Sequence, residues 1–297
     1  MQFLSLIKRK IHGGLIRLNG PRTTDVYFIS YPKTGNAWSR FLLGKYLQIK
    51  CHLTIMPLFE SHDFLGRCER YCLGPGIQFT HSPLVWTGQG AEDLHFHNVV
   101  KPFSAKKVVL LIRNPLDTMV SHWFDEKYRQ KDRYHIGNLT DFMENPDFSL
   151  NKYCRFYKLW YESFHKVRGF HLLRYEALKE DTSGQFQDLL RFLEIEIDQA
   201  VLETAVTESS FEKMQGLEKS GQCPKYRGSD LDLFGTGDGQ NIDSYHVRRG
   251  KVGGYVDYLT HREIEHYLSQ IAQTDIAWFS RYLKTDSAKS SMPLLGR

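Results

Sequence analysis

Two segments of this chain each combine an apolar run, a tight turn and the start of an amphipathic helix. The first covers residues 26–43 and reads VYFISYPKTGNAWSRFLL. Its apolar run is typical of a β-strand, and the Pro-Lys-Thr-Gly-Asn turn leads directly into a helical pattern. A helix N-terminus presents unpaired backbone N–H groups and the positive end of the helix dipole, and Lys33 adds a full charge. This segment predicts a binding site for a phosphate or a similar oxyanion.

The first turn differs from the phosphate loop of nucleotide kinases. That loop requires GxxxxGK[ST], whereas Lys33 precedes Gly35 and no earlier glycine has the required spacing. A P-loop-type kinase of nucleotides or small molecules, which would need ATP and magnesium, is therefore the weaker alternative. Taken alone, the segment would also fit an ordinary strand-to-helix turn with a solvated lysine. A second segment of the same kind is needed to favour an oxyanion site over such a turn.

The second segment covers residues 107–124 and reads KVVLLIRNPLDTMVSHWF. The continuous apolar run at 108–112 is typical of a central parallel strand buried on both faces, and Pro115 suits the first turn of a helix. Arg113 can hold a phosphate with its planar guanidinium group, and the Ser121 hydroxyl can donate a further hydrogen bond. The alternation of strands and helices predicts an α/β fold, with the ligand at the carboxyl edge of a parallel sheet.

Composition narrows the class of ligand and the compartment. A net charge of +5 mildly favours a polyanionic ligand but is far from the strongly basic signature of a nucleic-acid-binding protein. The odd number of cysteines, five, suits a reducing compartment. The apolar stretch at the N-terminus is too short for a signal peptide or a membrane span. We therefore expect a cytoplasmic protein without a membrane span.

Together the two segments resemble the sulfotransferase family, whose donor is 3′-phosphoadenosine 5′-phosphosulfate (PAPS). The family pattern YPKxGxxW is matched at 31–38. The pattern RNPxDxxxSxxxF is matched from Arg113 to Ser121, with Phe124 one position before the pattern's final phenylalanine. A third family pattern, RKGxxGDW, resembles RRGKVGGY at 248–255. The resemblance implies a P-loop-NTPase-like sulfotransferase fold, in which helices flank a central parallel sheet. It also implies one sulfotransferase domain at 25–285, between an N-terminal extension at 1–24 and a C-terminal tail at 286–297.

The resemblance further implies which residues contact PAPS and its product, 3′-phosphoadenosine 5′-phosphate (PAP). The 5′ end of the nucleotide would be held by Lys33, Thr34, Gly35, Asn36 and Ala37. The adenine would be contacted by Trp38, Tyr175, Ser209 and Phe211. The 3′-phosphate would be held by Arg113, Ser121, Arg248, Arg249 and Gly250. The family needs no metal for sulfuryl transfer, and we expect none here.

The resemblance to the family implies that His81 is the general base. It also implies that Lys33 stabilises the leaving phosphate. His81 lies in FTHSP, which resembles the family's KTHxP element. Phe79 stands where the family has lysine, which removes a cation from the expected site. Some branches of the family use a carboxylate base, so Glu60 and Asp63 are reserve candidates for that role.

The acceptor is the least constrained part of the prediction. Candidate acceptor residues combine polar, charged and aromatic side chains, namely Glu60, His62, Asp63, Phe64 and Trp86. This mixture favours a small polar acceptor, and a cationic alcohol or amine is the specific hypothesis. The departures at Phe79 and Gly254 keep open a non-catalytic binder of PAP or PAPS. The sequence leaves open whether the protein is a monomer or a homodimer.

Overall fold

The computed structural model of the chain describes residues 24–54, 56–57, 75–81, 84, 88–129, 137–225, 233–234 and 239–283. The candidate acceptor residues fall outside these ranges; they are Glu60, His62, Asp63, Phe64 and Trp86. The predicted C-terminal tail at 286–297 and nearly all of the N-terminal extension at 1–24 also fall outside them. The domain boundaries therefore stay a prediction.

Four parallel strands form a sheet in the described part of the chain, in the order β2-β1-β3-β4. They are β1 (Val26–Ser30), β2 (Ile77–Thr80), β3 (Lys107–Ile112) and β4 (Gly169–Arg174). In the register of the sheet, Ile29 is aligned with Thr80 of β2, and Ser30 with Leu111 of β3. The residues that follow the four strands are Tyr31, His81, Arg113 and Tyr175. The parallel arrangement therefore brings these four residues to one edge of the sheet.

Helices connect and cover the strands. They are α1 (Asn36–Lys50), α2 (Phe96–Val99), α3 (Pro115–Arg129), α4 (Leu139–Glu144), α5 (Leu150–Ser163), α6 (Tyr175–Glu180), α7 (Thr182–Phe192), α8 (Gln199–Glu208), α9 (Phe211–Lys219) and α10 (His261–Ala272). Short 3₁₀ turns lie at Lys101–Phe103, Phe164–Lys166, Ile242–Ser244, Gly254–Asp257 and Ala277–Tyr282. No described helix combines the length and the apolar character that spanning a lipid bilayer requires.

The sheet separates two apolar layers, as the continuous apolar run of β3 predicts. Val108, Leu110 and Ile112 pack on one face against α3, α5 and α10. Val109 and Leu111 pack on the other face against α1, α7 and α8. All five side chains are almost fully buried. The predicted fold class, a parallel sheet flanked by helices, is confirmed.

The segment GFHLLRYEAL at 169–178 has a sequence typical of one long strand, but the strand in the structure is shorter. β4 ends at Arg174, and Tyr175 begins helix α6. One Glu176 carboxylate oxygen accepts the backbone N–H of Asn114 at 2.7 Å, and the other accepts the Tyr282 hydroxyl at 2.8 Å. This helical turn is therefore fastened to the end of β3, which local sequence alone does not reveal.

Candidate donor-binding and catalytic site

A cavity of about 420 Å³ lies beside the carboxyl edge of the sheet. It brings together residues predicted from all three family patterns and from the His81 element. The predicted residues that line it are Lys33, Gly35, Asn36, Ala37, Trp38, His81, Arg113, Ser121, Tyr175, Phe211, Arg248, Arg249 and Gly250. Among the predicted donor-site residues that the structure describes, Thr34 and Ser209 do not line it. The Thr34 hydroxyl donates inward to the Tyr31 carbonyl at 2.7 Å, and the buried Ser209 accepts the Trp38 indole N–H on its carbonyl at 3.0 Å.

The turn after β1 has a backbone suited to approach by an anion. Lys33 has a φ of 67°, a left-handed conformation that side-chain-bearing residues rarely adopt. Gly35 has a φ of 104°, and a Cβ atom there would lie 2.9 Å from the Tyr175 ring. No described side chain caps the N-terminus of α1. The first-turn N–H groups, beginning at Asn36, thus remain available to a bound oxyanion.

The ammonium group of Lys33 reaches across the cavity to α3. Its Nζ donates to Asp125 Oδ1 at 2.8 Å and lies 3.3 Å from His246 Nδ1. Burial lowers the pKa of Lys33, while the Asp125 carboxylate opposes that shift. Burial acts to raise the pKa of Asp125, yet the neighbouring charges, led by Lys33, lower it overall. The ion pair with Asp125 thus offsets part of the pKa lowering that burial imposes on Lys33.

Arg113 joins the turn after β3 to the turn after β1. Its Nη1 donates to the Lys33 carbonyl at 3.0 Å, and its guanidinium carbon lies 4.4 Å from the Tyr175 ring centroid. Within the described residues, its Nε is buried without a hydrogen-bond partner. Asn114 Oδ1 accepts the N–H of Leu116 at 2.9 Å and caps α3. An anion at this strand end would therefore meet side chains, not an open helix N-terminus.

Asp117 on α3 forms hydrogen bonds with the third pattern, at residues 248–255. Its two carboxylate oxygens accept the backbone N–H groups of Gly253 at 2.7 Å and Tyr255 at 3.0 Å. In the same segment, Arg248 lies 3.9 Å from the centroid of the Phe124 ring. The Gly-Gly-Tyr that replaces the family's Gly-Asp-Trp is therefore held against the cavity through its backbone.

Gly250 allows this segment to approach α9 closely. It has a φ of 57°, and a Cβ atom there would lie 2.5 Å from the Phe211 ring. The neighbouring Arg249 forms a 3.2 Å ion pair with Asp257. Only glycine fits this position without displacing the aromatic ring that lines the cavity.

His81 is held through one of its ring nitrogens. Its Nδ1 lies 2.9 Å from the Ser30 carbonyl and 3.0 Å from the Ser30 hydroxyl, which accepts the Asn36 side-chain amide at 3.1 Å. A proton on Nδ1 that is donated to the carbonyl leaves Nε2 as the basic nitrogen. Burial, assisted by the positive charge of Arg40, lowers the pKa of His81 to about 4. The imidazole is therefore neutral at pH 7.

Several charged residues at the cavity were not predicted as site residues. They are Arg40, Asp117, Asp125, Lys179, His246 and Lys251. Arg40 lies one helical turn beyond Asn36, and Asp125 occupies the last position of the second pattern, where the family has phenylalanine, so spacing could have indicated both. His246 carries no comparable local signal, because it reaches Lys33 across 213 positions of sequence.

The family model for the sulfotransferase domain matches residues 23–278. The chain belongs to the sulfotransferase family. Cytosolic sulfotransferase 15 of Arabidopsis thaliana is 26% identical over 272 residues, which cover 81% of this chain and 69% of the relative. Sulfotransferase 2A1 of Rattus norvegicus is 25% identical over 279 residues, which cover 86% of this chain and 85% of the relative.

A solved structure supports the fold. Mouse sulfotransferase SULT7A1 complexed with PAP has a TM-score of 0.61 and 21% sequence identity, covering 91% of this chain and 90% of that chain. Family membership confirms the sequence-based prediction of a PAPS-dependent sulfotransferase. The roles given to individual residues stay predictions.

Proposed function

We propose that this sulfotransferase moves the sulfuryl group of PAPS to a hydroxyl or amine of a small molecule, with Lys33 and Arg113 gripping opposite ends of the donor. One observation carries the proposal. Each of the two strand-end turns supplies a cation to the same cavity, and Arg113 is hydrogen-bonded to the Lys33 carbonyl. Two anionic groups on one nucleotide match this pair of turns.

The side chains around the cavity fit such a donor. Arg113 and Arg248 would hold the 3′-phosphate, and Lys33 with the first turn of α1 would hold the 5′ end. The buried Arg113 Nε, which lacks a hydrogen-bond partner within the described ranges, supports the presence of a polar ligand in the cavity that Arg113 lines. The aromatic rings at Trp38, Tyr175 and Phe211 would flank the adenine, and such stacking contributes about 1–3 kcal/mol per base.

The reaction needs a base for the acceptor and a cation for the leaving group. As the acceptor atom attacks, its new bond to sulfur forms, the bond from sulfur to the bridging oxygen breaks, and the electron pair leaves on PAP. His81 Nε2 takes the proton of the acceptor, because the ring is neutral and fixed through Nδ1. Lys33 donates to the phosphate oxygen on which negative charge develops.

The acceptor in this proposal is small and polar, and a cationic alcohol or amine is the preferred class. This part rests on sequence alone, through Glu60, His62 and Asp63 together with Phe64 and Trp86. We also propose that the enzyme acts in the cytoplasm, which the cytosolic sulfotransferases among its relatives support.

A non-catalytic PAP-binding protein is the second candidate, and Phe79 favours it. The Phe79 side chain is buried and stacked on Phe28 with ring centroids 4.2 Å apart, so this position supplies no cation to the cavity. Without that cation, sulfuryl transfer would depend on the remaining positive groups.

The experiment is to incubate the purified protein with PAPS, EDTA and an acceptor panel that pairs cationic alcohols and amines with neutral phenols. We expect PAP release that requires an acceptor, and faster turnover of the cationic acceptors. Faster turnover of neutral phenols would contradict the acceptor class alone. Tight PAP binding without transfer to any acceptor would support the second candidate. Magnesium-dependent transfer from ATP, with none from PAPS, would contradict both.

A further inference from the structure

Lys33 is held by two side chains that the donor-binding patterns do not include. Its Nζ lies 2.8 Å from Asp125 Oδ1 and 3.3 Å from His246 Nδ1. An ammonium group can only donate, so His246 must accept on Nδ1 and carry its proton on Nε2. Two of the three N–H bonds of Lys33 are therefore directed by the protein, and one is left for a ligand.

Both partners are themselves fixed by the surrounding fold. Asp125 forms a second ion pair, at 3.0 Å, with Arg129 one turn later on α3. One carboxylate oxygen of Glu218 on α9 accepts the backbone N–H of His246 at 2.6 Å, and the other accepts that of Val247 at 2.8 Å. Glu218 also pairs with Arg129 at 3.5 Å. The direction of the remaining Lys33 N–H thus depends on a network that spans α3, α9 and the segment before the C-terminal pattern.

We infer that Asp125 and His246 are positioning residues for sulfuryl transfer, which aim the third N–H of Lys33 at the phosphate oxygen that leaves with PAP. The inference rests on the proposed function, because it is there that Lys33 stabilises the leaving group. A free lysine side chain has several rotatable bonds, and ordering it during the reaction costs entropy. A donor that is already aimed avoids this cost in the transition state.

The same contacts predict a change in pH dependence. Charged and titratable groups face Lys33 from Asp125 and Arg129 on α3, from Glu218 on α9, and from His246 and His81 beside the cavity. Burial lowers the pKa of Lys33, and Asp125 is the leading group that raises it. Replacing this carboxylate by an amide would lower the Lys33 pKa further. The charged lysine, and activity with it, would then be lost at a lower pH as the solution becomes alkaline.

The test compares Asp125→Asn, His246→Leu and His246→Gln with wild type, and uses Asp188→Asn as the matched control. Asp188 pairs with Arg191 on the exposed face of α7 and does not line the cavity. For Asp125→Asn we expect kcat to fall about tenfold or more, with a much smaller change in the KM for PAPS. In the pH profile of kcat, the decrease on the alkaline side should begin at a lower pH than in wild type. His246→Leu should also lower kcat, and His246→Gln should restore part of the loss because its amide oxygen can accept.

A second measurement does not depend on turnover. The side-chain NMR signal of Lys33, assigned by its disappearance in Lys33→Arg, should titrate at lower pH in Asp125→Asn than in wild type. An unchanged titration, or an unchanged kcat and alkaline limb, would overturn the inference. If the wild-type enzyme failed to use PAPS, the proposed function would fail, and an unshifted Lys33 titration would still overturn the inference separately.

Discussion

Replacing Asp117 by asparagine is expected to weaken PAP binding by releasing the C-terminal segment. The Asp117 carboxylate accepts backbone N–H groups from Gly253 at 2.7 Å and Tyr255 at 3.0 Å. Hydrogen bonds to a charged group contribute about 1.5–3 kcal/mol each. The asparagine oxygen can keep one of them, but its NH₂ group would then face the other backbone donor. The loss is therefore about one such bond, or roughly 10- to 100-fold in docking of the segment.

The negative charge of Asp117 has a second, opposite effect on PAP affinity, so the direction of the change in Asp117→Asn distinguishes the two effects. Asp117 lines the cavity and is buried, so its charge would repel a phosphate there. If repulsion dominated, the asparagine variant would bind PAP more tightly. We expect docking to dominate, because Arg248, Arg249 and Gly250 lie on the segment that Asp117 holds and would move with it.

The assay is calorimetry with PAP at fixed salt concentration, with thermal unfolding to confirm that each variant is folded. Asp257→Asn is the comparator in the same segment, because its ion pairs with Arg249 and Lys251 are exposed and screened by solvent, so they should contribute little. The expected order of PAP affinity is wild type, then Asp257→Asn, then Asp117→Asn. An unchanged or tighter affinity in Asp117→Asn would refute the reasoning.

Three further predictions test other parts of the site. His81→Ala should lower kcat by about 100- to 10,000-fold and leave PAP affinity unchanged by calorimetry, whereas wild-type turnover would redirect attention to Glu60 and Asp63. Gly250→Ala should weaken PAP binding by about tenfold, since left-handed backbone costs about 1–2 kcal/mol and its Cβ would collide with Phe211; equal affinity would contradict this. Burial lowers the pKa of both His81 and His246, so the unfolded chain binds more protons and the free energy of unfolding should fall as pH drops from about 6.5 to 4. Urea titrations should show a shallower fall in His246→Gln, and an identical fall would exclude His246 as a contributor.

The parts of the fold that sequence could predict are those with strong local patterns. The apolar runs of β1 and β3, and the turns that follow them, indicated a parallel sheet with oxyanion sites at its carboxyl edge. The structure has the parallel sheet and brings residues of both turns to one cavity, and the oxyanion sites themselves stay a prediction. Helix α10 was not predicted, although a capping box between Thr260 and Glu263 marks its start. The Thr-x-x-Glu pattern at 260–263 is a local signal that suffices to indicate the start of this helix.

Other features depend on contacts between distant positions and leave little trace in local sequence. The end of β4 at Arg174 reflects the bond from the Asn114 backbone to Glu176, 62 positions away. Lys33 was predicted as a site residue, but its partners lie 92 positions away at Asp125 and 213 positions away at His246. The motif residues that line the cavity could be predicted from the sequence. The side chains that orient them, such as His246, could not.

The central claim is that Lys33 binds the 5′ end of one nucleotide and Arg113 binds its 3′-phosphate. The most direct measurement is calorimetry of wild type, Lys33→Ala and Arg113→Ala with PAP, adenosine 5′-monophosphate and adenosine 3′-monophosphate. We predict that both variants bind PAP more weakly. Arg113→Ala should keep wild-type affinity for the 5′-monophosphate, and Lys33→Ala should keep it for the 3′-monophosphate. Equal losses for all three ligands in both variants, or no loss in either, would contradict the claim.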